Sequence, residues 1–488
     1  MADDEWSTNA NDAINITFLS VTKDKADQIA SFHPEYTELH FGKDQSIFGY
    51  KNLTIDLKFA AHDLYPNFSV AYSRKWKTVK DAKAVDIEEI LKPDLSADAF
   101  GDAGDFAAHL RDIETASTFK PPGDLVEEYT KDGRNYQIYS GELTDDSIRK
   151  IIERIQILIT FFIDGGIPIP VDDPEWSLAR WRVWLVYEKT SNPISPYSIV
   201  GYCTSYRFLP YQSHNTGIGN GTKPVPFELP SSHPISLSDL PNRSRISQFL
   251  ILPHHQGQSH GTRLYGAVVN TFLNDPACIE ITVEDPNEDF DDLRDLCDYA
   301  RLTSNGSFAQ IRLNLDVDPK LTARKPKAKV PTGKLLNKSL LEKLRLKNKL
   351  APRQFKRLVE MHLLSHIPKY SREAGTARLI RRAASKDPGD KALYYWRLLV
   401  KQRVFKQHEQ VLKELPNEEK HQKLDETTTI QWMDYERLLE RMTEARVGKP
   451  RPAGSRGKRK IIDDDEDDDD DEDEDDDTHS QSSKKPKT

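Results

Sequence analysis

Cysteine is scarce in this chain: Cys203, Cys278 and Cys297 are the only three in 488 residues. They are too few and too scattered for a disulfide framework or a cysteine-rich zinc site. Long apolar runs are absent as well. The longest, Ile157 to Ile163, is interrupted by Thr160 and falls short of the ~18 residues a membrane span needs. The N-terminus, MADDEWSTNANDAIN, has neither a basic nor an apolar segment, so no secretory signal is expected. Hydrophobic residues are 37% and charged residues 30%, with a mean hydropathy of −0.67. That balance still supplies a core if part of the chain stays unfolded. At roughly 100–200 residues per domain the length implies about two to four units. The expectation is a soluble intracellular protein of a reducing compartment, with no membrane partner.

The net charge of −9 is unevenly spread. Asp463 to Asp477 is fifteen consecutive acidic residues, flanked by Lys458-Arg459-Lys460 and Lys484-Lys485-Pro486-Lys487. Self-repulsion and the lack of apolar side chains leave nothing to offset the ordering entropy, so residues 448–488 are expected to be a disordered acidic tail. The basic clusters suit nuclear import or simple solvation. Upstream, Lys320 to Arg357 holds 14 Lys and Arg against one acid, Glu342. Phe355 is its only aromatic, so base stacking is not indicated, and a solvated helical face is the alternative to nucleic-acid contact.

Apolar spacing divides the rest. Thr54 to Phe59 and Phe68 to Tyr72 alternate like half-buried strands. Ile148, Ile151, Ile152, Ile155, Leu158 and Phe162 recur at helical spacing, predicting one helix from Asp145, its cap, to Ile163, ended by Gly165-Gly166. Arg182 to Glu188 and Ser198 to Phe208 read as strands, and Gln212 to Ser238 as a loop. Arg245 to Leu252 (strand), His254 to Gly261 (turn), Thr262 to Asn274 (helix), Ile279 to Val283 (strand) and Asp289 to Arg301 (helix) then form a βαβ crossover with locally parallel strands. Leu- and Lys-rich helices follow, to about residue 444.

Two places in the crossover can carry chemistry. The Gly-bearing turn before a helix start is a potential anion site, because the first helical N–H groups lack internal partners. It contains neither G-x-x-x-x-G-K-[ST] nor G-x-G-x-x-G, so an ordinary βα turn remains the alternative. Glu284-Asp285 ends a parallel strand, where a carboxylate can act as general base, or can cap the next helix. His254, His255 and His260 lack a partnered Cys or Asp at ligand spacing and read as core or solvated histidines; no metal is expected. Cys203, on an apolar strand, reads as a small core residue.

Gln256 to Gly261 (QGQSHG), after QFLIL, resembles the acetyl-CoA signature [QR]-x-x-G-x-[GA] of the GNAT N-acetyltransferases. The longer string QFLILPHHQGQSHG, followed by ITVEDPNEDFDDLRD from Ile281, is similar to the type B histone acetyltransferase catalytic subunits. FHPEYTELHFG from Phe32, FGYKNL from Phe48, the RW…WLVYEK segment from Arg180 and VGYCTSYRF from Val200 add to the resemblance, which spans roughly residues 12–310.

The resemblance implies an α+β fold: a GNAT-type mixed sheet flanked by helices (136–320), an α/β N-terminal domain (1–135), a helical C-terminal domain (321–447) and the tail. It implies that Phe249, Leu250 and Ile251 present main-chain groups to the pantetheine arm of acetyl-CoA. Gln256, Gly257, Gln258, Ser259, His260, Gly261 and Thr262 would hold its pyrophosphate, with Asn287 near the cofactor. Glu284 would be the general base, with Asp285 and Asp164 as acidic neighbours that share or assist that catalytic task. Trp181, Tyr206, Arg207, Phe208 and Asp44 would receive the substrate. Ser259 stands where the signature has its first glycine, so the pose of the loop depends on whether its φ and ψ suit an L-residue. Lys43 and Gln45 stand where acidic residues are expected.

The activity implied is acetyl transfer to lysines in the tail of newly made histone four, by direct attack in a ternary complex. Implied partners are the histone tail, a WD-repeat histone-binding subunit and other histone chaperones, in cytoplasm and nucleus, without sequence-specific nucleic-acid binding. Two other readings stay open: a GNAT enzyme with another acceptor, and a non-catalytic histone-binding or chaperone protein using the acidic tail.

Overall fold

The computed structural model describes residues 4–22, 26–77, 82–169, 177–209, 239–317, 332–373 and 387–447. The expected loop at 212–238, the acidic tail and its basic clusters lie outside the described residues.

Strands β1 (Ile14–Ser20), β2 (Asp27–Phe32), β3 (Thr54–Ala60) and β4 (Pro66–Ala71) form a four-stranded sheet in the order β2-β1-β3-β4, with β1 and β3 parallel. The alternation seen in the sequence is real: Ile55, Leu57 and Phe59 are buried, while Thr54, Asp56 and Lys58 are not. The second sheet comprises β5 (Asp124–Lys131), β6 (Arg134–Glu142), β7 (Trp181–Lys189), β8 (Tyr197–Phe208), β9 (Asn242–Ile251) and β10 (Cys278–Val283). Its order is β10-β9-β8-β7-β6-β5, and only β9 and β10 are parallel, as the crossover predicts.

Each face of this second sheet buries a different layer. Val183, Leu185 and Tyr187 of β7 pack with the N-terminal sheet and with helices α1 (Asp146–Ile155) and α2 (Ile157–Phe162). Trp184 and Val186 face the opposite layer, with Leu264 and Val268 of α3 (His260–Asn274). The single helix predicted over 145–163 is two segments. Asp145 caps the first by accepting from Ser147 N at 2.8 Å. The break falls at Gln156, whose side chain instead accepts the N–H of Ile169 at 2.6 Å.

Helices α4 (Glu288–Ser304), α5 (Lys338–Lys347), α6 (Pro352–Ser365), α7 (Pro388–Gln407) and α8 (Asn417–Val447) build a third core around Trp396, Leu358 and Tyr435. Charge joins this core to the sheet. Asp292, Asp295 and Asp298 recur every three residues on α4 and are all buried. Asp292 accepts from Arg437 and Arg441, Asp295 from Arg357 and Gln354, and Asp298 from Tyr265 and Arg301. The free edge of β10 is covered too: Ile281 N donates to Lys349 O at 2.7 Å, and Arg345 bonds Glu280 at 2.9 Å. Lys349 Nζ bonds the carbonyls of Phe272 and Asp275 at the C-terminal end of α3, where a cation opposes the helix dipole. In the described part of the basic segment, Arg345, Lys349 and Arg357 therefore serve the fold. The solvated-face expectation is corrected for these three.

Removing one partner of a buried pair strands the other charge, which costs about 3–5 kcal/mol. Asp295→Ala is expected to destabilise by that amount in denaturant titration. Asp295→Leu with Arg357→Met should restore most of it.

Candidate active site

Strands β9 and β10 part company. They pair from Asn242 to Ile246, with Val283 opposite Ile246, and the last link is Glu284 N to Ile246 O at 2.8 Å. On its other side β9 stays paired with β8 as far as Ile251, opposite Gly201. Among the described residues no strand pairs with the β10-facing edge of residues 247–251. Two residues turn the chain away: Asp285 has φ +32°, and Pro286 has no N–H to continue the ladder. Leu252 N donates to Val200 O at 2.9 Å, so by alternation Leu250 also directs its main chain at β8. Phe249 and Ile251 are left to face the open edge.

At the end of this edge the chain enters α3. Gly257 (φ +74°) and Ser259 (φ +68°) are both left-handed. A Cβ on Gly257 would meet nothing within 4 Å, so φ rather than crowding calls for glycine there. The first helical bond runs from Arg263 N to Ser259 O at 3.3 Å, so the N–H groups of His260, Gly261 and Thr262 have no helical acceptor. Left- and right-handed residues in succession turn such N–H groups to one side, here at the positive end of a 15-residue helix. Gln256, Gly257, Ser259 and Thr262 are exposed. The side chains of Gln256 and Gln258 tie the loop to Ile251 O and His254 O, each at 3.0 Å.

Of the three histidines, His255 and His260 are buried and His254 is partly buried. His260 lies 2.8 Å from the Tyr129 hydroxyl. The His254 ring packs on Phe32 at 5.9 Å and on His255 at 4.1 Å. Burial pushes His254 down to about 4 and His255 to about 3, and lowers His260 as well.

Glu284 is half-buried and hydrogen-bonded at both oxygens. The Tyr206 hydroxyl donates to Oε1 at 3.0 Å and the Ser247 hydroxyl to Oε2 at 2.5 Å. Burial, and then the Glu284 charge, raises the Tyr206 phenol, which stays a proton donor at neutral pH. Trp181 lies across from Tyr206, with ring centroids 5.0 Å apart, and the Phe208 ring carries the Arg245 guanidinium at 5.4 Å. Trp181 and Tyr206 thus make an aromatic wall beside Glu284.

Other expected site residues sit differently. Asp285 and Asp164 are exposed, and no described contact joins either to Glu284. Asn287 caps α4, accepting from Phe290 N at 2.9 Å, so neither Glu284 nor Asp285 is the cap. Arg207 is buried and bonds Glu142 at 2.8 and 3.0 Å, which spends its charge within the sheet rather than on a substrate wall. Asp44 is exposed on an N-terminal turn; its neighbour Gln45 is held by Asn11 at 2.6 Å and Glu38 at 3.1 Å. Ser247 was missed, because its place depends on a strand irregularity that spacing does not reveal.

Burial pushes the Cys203 thiol well up, Cys278 up, and Cys297 up to about 12, so none is poised as a thiolate nucleophile. One group of described residues, His62, Asp63 and His109, has donor atoms within 4.8 Å of one another. Arg154 occupies the same carboxylate at 3.2 Å, and a metal ion there would face its fixed positive charge. Burial alone would raise Asp63, but His109, His62 and Arg154 hold it at about 2. The cluster is a buried ion pair that fastens α1 to the N-terminal sheet.

A family model described as "Histone acetyl transferase HAT1 N-terminus" matches residues 6–164, and one described as "Fungal HAT1, C-terminal" matches 319–367. The type B histone acetyltransferase catalytic subunit of Aspergillus oryzae is 40% identical over 94% of this chain and 91% of its own length. The protein of the same name from Aspergillus fumigatus is 42% identical over 90% of this chain and 78% of its own, and that of Neurospora crassa 34% over 90% and 88%. The chain belongs to the family of type B histone acetyltransferase catalytic subunits. It is an acetyltransferase, and acetyl-CoA is the cosubstrate the family implies. The open edge of β9 and the N–H groups ahead of α3 fit that molecule: one offers strand-like pairing to its amides, the other a cradle for its phosphates.

A left-handed non-glycine residue is strained by about 1–2 kcal/mol, partly offset by the lower unfolded-state entropy of serine. Ser259→Gly is expected to keep acetyl-CoA affinity and equal or exceed the wild-type melting temperature. Ser259→Val should lower both, as calorimetry will show. The buried histidines bind protons more readily when unfolded, so stability is expected to fall as pH drops from about 6.5 towards 4. Thermal melts across that window check it, and Phe replacements at His254 and His255 should flatten the slope.

Proposed function

We propose that this protein transfers acetyl groups from acetyl-CoA to lysine ε-amines in the N-terminal tail of newly synthesised free histone four. The observation that carries the proposal is Glu284 at the mouth of the strand gap, held between Tyr206 and Ser247 and flanked by Trp181.

Acetyl-CoA supplies the acetyl group as a thioester. Phe249 and Ile251 receive its pantetheine amides along the open strand edge, and the N–H groups of residues 258–262 receive its pyrophosphate. A lysine ammonium has an ordinary pKa of about 10.4 and cannot attack until it loses a proton. Glu284 takes that proton, directly or through a water, and the freed amine attacks the thioester carbonyl; the C–S bond then breaks, coenzyme A leaves as its thiolate, and the thiolate takes up the proton that the new amide nitrogen sheds. Asp164 and Asp285, exposed near the chain turns, serve as acidic surroundings for a basic peptide. The absence of a poised thiolate among the three cysteines favours direct attack over an acyl-enzyme.

The family resemblance supports a WD-repeat histone-binding subunit and histone chaperones as partners. The basic clusters around the acidic tail support residence in both cytoplasm and nucleus.

Coenzyme A release by the full chain, with acetyl-CoA and a histone-four tail peptide, tests the reading. Glu284→Gln should lower kcat by about 100-fold or more and leave acetyl-CoA affinity intact. An unchanged rate removes Glu284 from the role. Turnover on a polyamine or protein N-terminus, with none on the histone peptide, moves the substrate to another acceptor.

A further inference from the structure

The pairing of β8 with β9 slips by one residue beside the gap. Cys203 faces Phe249, but Ser205 faces Ile246, so Thr204 on β8 stands against both Ser247 and Gln248 on β9. This is a bulge, and its effect shows in the packing. Ile246 and Phe249 both face the α3 layer although they are three residues apart. Regular alternation would have put them on opposite faces.

The bulge is held by its own hydrogen bonds. The Thr204 hydroxyl donates to Gln248 Oε1 at 3.2 Å and accepts from Gln248 N at 3.2 Å. Gln248 Nε2 donates to Ile167 O at 3.0 Å, which pins the segment after α2 to β9. Thr204 and Gln248 are buried, so the irregularity is fixed rather than slack, although Ile167 itself is exposed. Its outcome is that Ser247 Oγ meets Glu284 Oε2 at 2.5 Å, one residue beyond the last main-chain link between β9 and β10.

We infer that Ser247 is a positioning residue for the acetyl-transfer step, set in place by the β9 bulge to orient the Glu284 carboxylate. The inference rests on Glu284 being the general base. Its chemistry is geometric. A glutamate side chain has three rotatable bonds, and one donor on Oε1 leaves the carboxylate free to swing about that contact. A second donor on Oε2, from a different strand, fixes the plane. Each oxygen keeps a further lone pair for the lysine ammonium or an intervening water. Misplacing a reacting group by about 1 Å can cost on the order of 100-fold in rate.

The test is a double-mutant cycle on the full chain, read as kcat, KM for acetyl-CoA and melting temperature. Ser247→Ala is expected to lower kcat by about 10- to 100-fold, with KM for acetyl-CoA and the melting temperature unchanged. Ser247→Thr, which keeps the hydroxyl, should restore most of the rate. In the Glu284→Gln background Ser247→Ala should add little, because the group it orients is gone. A Ser247→Ala enzyme with wild-type kcat, beside an inactive Glu284→Gln enzyme, overturns the inference and leaves the base in place. An equal fold-loss in both backgrounds also overturns it, since Ser247 would then act apart from Glu284. Wild-type turnover by Glu284→Gln instead removes the base reading beneath it.

Discussion

The parting of two parallel strands after Ile246 and Val283 is the constraint on which the rest of the site depends. A parallel ladder that ran on would bury the main-chain groups of β9 against β10 and leave no room for a substrate. Here the ladder stops because Asp285 takes a left-handed turn and Pro286 has no N–H. The main chain of Phe249 and the N–H of Ile251, whose carbonyl already accepts from Gln256, are then a binding surface, since unpaired strand groups seek partners. Glu284, the first residue past the ladder, is set at the mouth of the opening. One break in a regular element thus provides both a strand-like cosubstrate site and the carboxylate beside it.

Such a break is stable only if the separated strands are held from outside. On one side β9 is anchored to β8 through the bulge at Thr204. On the other, β10 and α4 are gripped by the C-terminal helices: Lys349 closes the edge of β10, and the three buried aspartates of α4 meet arginines and polar side chains. Buried ion pairs add little net stability, but they penalise any packing that leaves one partner alone. The helical half of the chain therefore fixes where α4 begins, and with it the short turn that carries Glu284.

Much of this was legible in the residues. The βαβ crossover, its parallel strands and the Asp145 cap followed from spacing and cap chemistry, and the sequence resemblance pointed to the acetyltransferase family. The parts that were not legible share a cause: each depends on contacts distant in sequence. Asp289 to Arg301 reads as a helix, but its spacing does not show that Asp292, Asp295 and Asp298 are buried, because their partners lie up to 149 residues away. Arg207 reads as a substrate contact beside Tyr206, but strand alternation turns it to Glu142. Ser247 is an unremarked serine in an apolar strand until a one-residue slip aims it at Glu284. Ser259 departs from glycine, and the structure shows the serine adopting the left-handed conformation that glycine would have favoured.

Hydrogen exchange of the full chain with and without acetyl-CoA tests the central claim most directly. If the strand gap is the cosubstrate site, exchange should slow at the amides of Phe249 and Ile251 and of residues 258–262. Leu250, already bonded to β8, should change little. Slowed exchange elsewhere, with these amides unaffected, would contradict the account.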